Sequence, residues 1–147
     1  MRQKWVLVAV LAFPIGFLGW IAWLFLSFFA EDPLTHAEAV PCDEAMDFVD
    51  LKGLPDGAHD AKCSVLNWLD TSYTARFTMT RTDLDAWLKG TYPGAELTSE
   101  DCTGGSADAC AHIELSPPAE GGATAIDIRV RYGKDLTAVV EFVPFDV

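Results

Sequence analysis

The chain has 147 residues, half of them hydrophobic, and a formal net charge of −12. All 22 acidic residues and eight of the ten basic ones lie beyond position 30, so residues 31–147 carry −14. That surplus argues against nucleic acid or anionic lipid headgroups as partners, and 117 residues leave room for one domain of ordinary size, not two.

Residues 1–4 form a short basic stub, with Arg2 and Lys4. From Trp5 to Ala30 there are 26 residues without a charge, and Ser27 is the one plainly polar side chain among them. At 1.5 Å per residue such a helix spans roughly 39 Å, against about 30 Å of bilayer hydrocarbon, so a transmembrane helix is predicted over 5–30. A cleaved signal would have a shorter apolar core and small residues at its end, where this chain has Phe28-Phe29. Basic residues before the run and Glu31-Asp32 after it predict a cytoplasmic N-terminus and an extracytoplasmic remainder at the cell membrane. Ala9, Ala12, Gly16 and Gly19 make a stripe of small residues at spacings of three and four, a candidate docking face for a partner helix or a second copy.

Residues 31–40 read as a polar tether and 41–147 as the exported domain. Pro41 suits a helix start, with Asp43 and Glu44 in the first turn; Cys42, Ala45, Met46 and Val49 form its inner stripe, and Lys52-Gly53 its end. Leu54-Pro55-Asp56-Gly57 is a turn. Two strands are predicted next, Ala61–Leu69 and Tyr73–Thr80, joined by a hairpin at Asp70-Thr71-Ser72. The second alternates Tyr73, Ala75, Phe77 and Met79 against threonines and Arg76, which implies one buried and one wet face.

A helix capped by Thr80 or Thr82 and ended by Lys89-Gly90 follows, with an apolar stripe at Leu84, Trp87, Leu88 and Tyr92. After an acidic stretch from Glu96 to Ala109 come three strands, Ala111–Leu115, Thr124–Tyr132 and Leu136–Phe145, the last two joined by a turn at Gly133-Lys134-Asp135. In the middle one Ile126, Ile128 and Val130 face one way and Asp127, Arg129 and Arg131 the other. This order predicts an α+β domain: a small, mostly antiparallel sheet with one or two helices on one face.

Four cysteines, Cys42, Cys63, Cys102 and Cys110, all lie in the exported part and read as two disulfides. Of three possible pairings, Cys42–Cys63 and Cys102–Cys110 are favoured, the second closing a glycine-containing loop. No Cys-x2-Cys spacing supports zinc, and the three histidines are scattered. Esterase, metalloprotease, phosphate-loop and calcium-loop motifs are all missing from the chain, and no cofactor is expected. Asp56, His59 and Asp60 are the nearest thing to an acid–base group, without an identifiable nucleophile. Glu96, Glu100, Asp101 and Asp108 offer hard oxygens for Ca²⁺ at irregular spacing, so a solvated acidic loop is the simpler reading. Trp68 and Trp87 are expected as core anchors, with a partner-binding patch as the alternative.

The segments Cys63-Ser-Val-Leu-Asn-Trp-Leu-Asp70, Ala75-Arg-Phe-Thr-Met79 and Asp85-Ala-Trp-Leu88 resemble small uncharacterised single-pass exported membrane proteins of high-GC actinomycetes. The resemblance spans most of residues 42–147 and implies no catalytic residues. The expectation is therefore a non-enzymatic membrane accessory or interaction protein, held in lipid and partnered through its helix within an envelope complex. A ligand-binding or sensory domain with an apolar pocket between sheet and helix, or an envelope enzyme, are the alternatives.

Overall fold

The computed structural model describes Trp20, residues 37–100, Cys102 and residues 106–146. The chain divides into two units, Met1–His36 and Ala37–Val147, and every element named below belongs to the second. The stub, the span expected over 5–30 and the stripe Ala9, Ala12, Gly16 and Gly19 lie outside the described residues, Trp20 apart. Among the described residues, no helix is long and apolar enough to cross a membrane.

The elements run β1 (Glu38–Val40), α1 (Cys42–Asp47), β2 (His59–Asn67), β3 (Thr71–Thr80), α2 (Arg81–Thr91), β4 (Ala109–Glu114), β5 (Ala125–Tyr132) and β6 (Thr137–Phe145). The six strands form one sheet in the order β1-β2-β3-β6-β5-β4, with every pairing antiparallel. The domain is thus α+β, as its alternating patterns predict.

One face of the sheet is apolar. Cys63, Ala75, Phe77, Met79, Ala138, Val140, Phe142, Ile126, Ile128 and Val130 are buried on it, and both helices lie against them. Helix α2 forms where the sequence places it because its start is capped on both sides. The Asp83 N–H donates to Thr80 Oγ1 at 3.1 Å, and that hydroxyl donates to Asp83 Oδ2 at 2.7 Å. Leu84 and Leu88 are buried, while Trp87 packs edge-on to Phe77 and Phe142 at 6.0 and 5.6 Å. Burying such side chains contributes about 1.5–3 kcal/mol each.

Helix α1 is shorter than the pattern predicts. It stops at Asp47, because Asp50 adopts a left-handed φ of 61° and the Leu51 N–H turns back to the Met46 carbonyl at 3.0 Å. The Asp50 carboxylate then accepts from the N–H groups of Glu120 and Gly121, at 2.8 and 3.0 Å. One aspartate therefore ends the helix and moors a loop 70 residues away. Gly121 is required there: a Cβ on it would stand 2.7 Å from the Phe48 Cα.

Four further expectations need correction. Glu38–Val40, read as part of a free tether, is a strand that closes the β2 edge. The β2–β3 turn is Trp68-Leu69-Asp70, since Asn67 pairs with Thr71. Trp68 consequently sits at the hairpin tip, 66% exposed, and not in the core. Finally, the β5–β6 turn centres on Asp135-Leu136, both at positive φ (58° and 60°), one residue later than expected.

Candidate functional site

Both disulfides are those the sequence favours. Cys42–Cys63 ties α1 to β2 and Cys102–Cys110 ties the acidic stretch to β4, with Cα separations of 5.1 and 5.6 Å. Two such bridges fit a domain of extracellular or secreted type.

The sheet face turned away from the helices is polar, and the strand register sorts its charges. Lys62 stands opposite Arg76, Arg76 opposite Glu141, Glu141 opposite Arg129, and Arg129 opposite Cys110. Five neighbouring strands thus present one continuous row, Lys-Arg-Glu-Arg-Cys, with side chains roughly 5 Å from their neighbours. Arg131 lies on the same face, opposite Val139. Four of the eight basic residues beyond position 30 are gathered here, in a segment of charge −14. Alternation along β3 and β5 already put Arg76, Arg129 and Arg131 on wet faces; what the sequence does not signal is the β3–β6 pairing that sets Glu141 between two arginines.

Arg129 Nη1 donates to Glu141 Oε1 at 2.5 Å, with both side chains about two-thirds buried (29% and 32% exposed). That pair fixes one guanidinium in place. Arg76 and Arg131 make no ion pair among the described residues, and their guanidinium groups keep their donors for other acceptors. Arg76, Arg131 and Glu141 line an open recess of ≈ 180 Å³, walled by Ser106 and Ala107 from the disulfide loop.

Beside it lies a wider open groove of ≈ 430 Å³, lined among others by Glu96, Thr98, Glu100, His112, Asp127 and Arg129. His112 and Asp127 are cross-strand neighbours, and Nδ1 lies 2.7 Å from Oδ1. A carboxylate accepts only, so Nδ1 carries the proton that faces Asp127. This is the base-and-orienter half of a catalytic group. The nucleophile half is missing among the described residues: the Thr98 hydroxyl donates to the Glu100 carbonyl, and Cys110 is held in its disulfide.

The other residues singled out by sequence are dispersed. His59 Nδ1 lies 3.2 Å from the Gly57 carbonyl, and Nε2 lies 3.9 Å from Asp60, both side chains exposed at the start of β2. Asp108 accepts from the Tyr132 N–H at 2.7 Å, Glu96 and Glu100 face the groove, and Asp101 lies outside the described residues. Among the described residues no three His, Cys, Asp or Glu side chains converge as a metal site. The space between helices and sheet, where an apolar ligand was the alternative, is occupied by Met46, Phe77, Met79, Leu84, Leu88 and Phe142, each at most 4% exposed.

Two tyrosines titrate high. Burial, with the hydrogen bond from its hydroxyl to Glu44 (3.0 Å), raises Tyr73. Burial, with Asp50 nearby, pushes Tyr92 up to about 12, and its hydroxyl makes no hydrogen bond among the described residues.

Compared with family models, curated proteins and solved structures, the chain finds no match in any of the three. The class rests on architecture alone: a disulfide-crosslinked α+β domain with one packed and one open sheet face.

Proposed function

We propose that the chain is a single-pass membrane accessory protein whose exported, non-enzymatic domain binds a carboxylate-bearing segment of an envelope protein on its open sheet face. The uncharged run from Trp5 to Ala30 supports the anchor, and the two disulfides support an oxidising location for the domain. The observation that carries the binding role is the row Lys62–Arg76–Glu141–Arg129 with Arg131 beside it. Cations concentrated on one face of an otherwise acidic domain recognise a short acidic segment and repel a long polyanion, because the surrounding −14 dominates at range. Arg76 is exposed and ready to engage a carboxylate bidentately.

The test is affinity capture of the full chain from native membranes, in mild detergent, with partners identified by mass spectrometry. Arg76→Glu reverses one exposed charge but sets a second carboxylate opposite Glu141, so a thermal melt matching the parent is the control that the fold is retained. Recovery of the specific partner falls about tenfold or more, equivalent to at least about 1.4 kcal/mol. Undiminished recovery by Arg76→Glu refutes the binding face, and a mature chain beginning downstream of Phe29 refutes the anchor.

A further inference from the structure

We infer that the β2–β3 hairpin tip, Trp68-Leu69, is a finger that beds into the interface of the bilayer holding the anchor, an inference that rests on reading residues 5–30 as that anchor. Trp68 is 66% and Leu69 80% exposed, side by side in a three-residue turn. Turns are ordinarily built from Gly, Asn, Asp, Ser and Pro, so two large apolar side chains there serve neither the turn nor the core.

Topology puts this tip at the end of the sheet where the chain enters it. Strand β1 runs antiparallel to β2 with Glu38 opposite Val65. Moving back from Glu38 towards residue 37 is therefore moving along β2 towards Trp68, which lies three residues, or about 10 Å, beyond Val65. From Ala30 to Ala37 the chain has seven steps, which reach at most about 25 Å when fully extended. The chain thus enters the domain on the same rim that carries Trp68 and Leu69, a short leash after residue 30.

Tryptophan suits that layer because its ring is apolar and its N–H wants a wet partner. Asp70 follows the tip, and Asp146 clasps its base, accepting from the Thr71 N–H at 2.5 Å. Those carboxylates oppose anionic headgroups, so the contact is apolar, favours zwitterionic lipid and persists at high salt.

The experiment uses the full chain reconstituted in phosphatidylcholine vesicles, with or without bromine on the acyl chains near the headgroup. The emission of Trp68 is obtained as the difference between the natural chain and Trp68→Phe, an exposed substitution that spares the core. Most of that difference emission is lost in brominated vesicles and is insensitive to aqueous acrylamide. Quenching by acrylamide with no effect of bromine places the tip in water and overturns the inference; protection from both quenchers places it on protein and overturns it equally. The remaining tryptophans separate this failure from failure of the anchor. If Trp5, Trp20 and Trp23 are quenched by bromine in Trp68→Phe while the Trp68 component is not, only the finger is lost. If none of them is quenched and the chain does not float with the vesicles, the anchor reading falls and the finger with it.

Discussion

Replacing Cys42 and Cys63 together by alanine removes the crosslink between α1 and the second strand, and the size of the loss follows from the loops the bridges close. The two disulfides span 21 and 8 residues. Loop-closure entropy assigns about 3.3 kcal/mol to the longer and about 2.5 kcal/mol to the shorter. Packing widens that gap. Helix α1 has only six residues, too few to persist alone, yet it carries the fully buried Ala45 and Met46. Without its tether, those side chains detach at low cost, whereas the Cys102–Cys110 bridge ties Cys102, which lies outside the core, to β4. Thermal melts followed by circular dichroism should therefore show Cys42→Ala/Cys63→Ala lowered by about 13 °C or more, at about 4 °C per kcal/mol for a domain of this size. The Cys102→Ala/Cys110→Ala protein should lose clearly less. Equal losses, or a larger one for the second pair, would refute the argument that α1 depends on its bridge.

Other consequences are open to the same measurements. Gly121→Ala should destabilise the domain by about 3 kcal/mol or more, because the added Cβ meets the backbone of Phe48, which cannot rotate away; a melt within error of the parent would contradict that geometry. Leu136→Gly should stabilise by about 1 kcal/mol, since a leucine held at φ 60° pays the left-handed penalty while its side chain is 69% exposed. Denaturant titration would decide it, a loss of stability being the contrary result. The raised pKa of Tyr92 means the folded state holds that proton more tightly than the unfolded chain does. Its contribution is complete below pH 10.0, the unfolded value, and declines as pH rises towards about 12, with Tyr73 acting in the same direction. Tyr92→Phe should flatten that alkaline decline and cost little at neutral pH, because the hydroxyl it removes is buried without a hydrogen bond among the described residues. Stability curves between pH 9 and 12 would show it; an unchanged slope would argue against Tyr92 as the source.

What was legible beforehand was periodic. Ala75, Phe77 and Met79 on β3, and Leu84 with Leu88 on α2, follow their repeats and are all buried. Both disulfides are the pairing favoured among three, Cys102–Cys110 on its short glycine-containing loop. Strand β2 was harder, because Leu66 and Trp68 form as apolar a series as Cys63 and Val65. The crosslink of Cys63 to α1 decides which series faces inward, and it leaves Trp68 outside. Strand β1 is three residues long, too short to show alternation. The basic row was half visible: alternation sets Arg129 and Arg131 on one side of β5, but Glu141 meets Arg76 only through a strand pairing 65 positions apart in sequence. No local pattern encodes that neighbour.

The sheet order has a mechanical consequence. Tension applied to the amino-terminal end along the strand axis arrives at β1, which lies antiparallel against β2, so its hydrogen bonds are loaded lengthwise and together, not unzipped one at a time. If they give way, residues 37–41 are drawn out, and the pull then arrives at Cys42, whose covalent link hands the force to the middle of β2. The first strand acts as a shear pad and the first disulfide as the stop behind it.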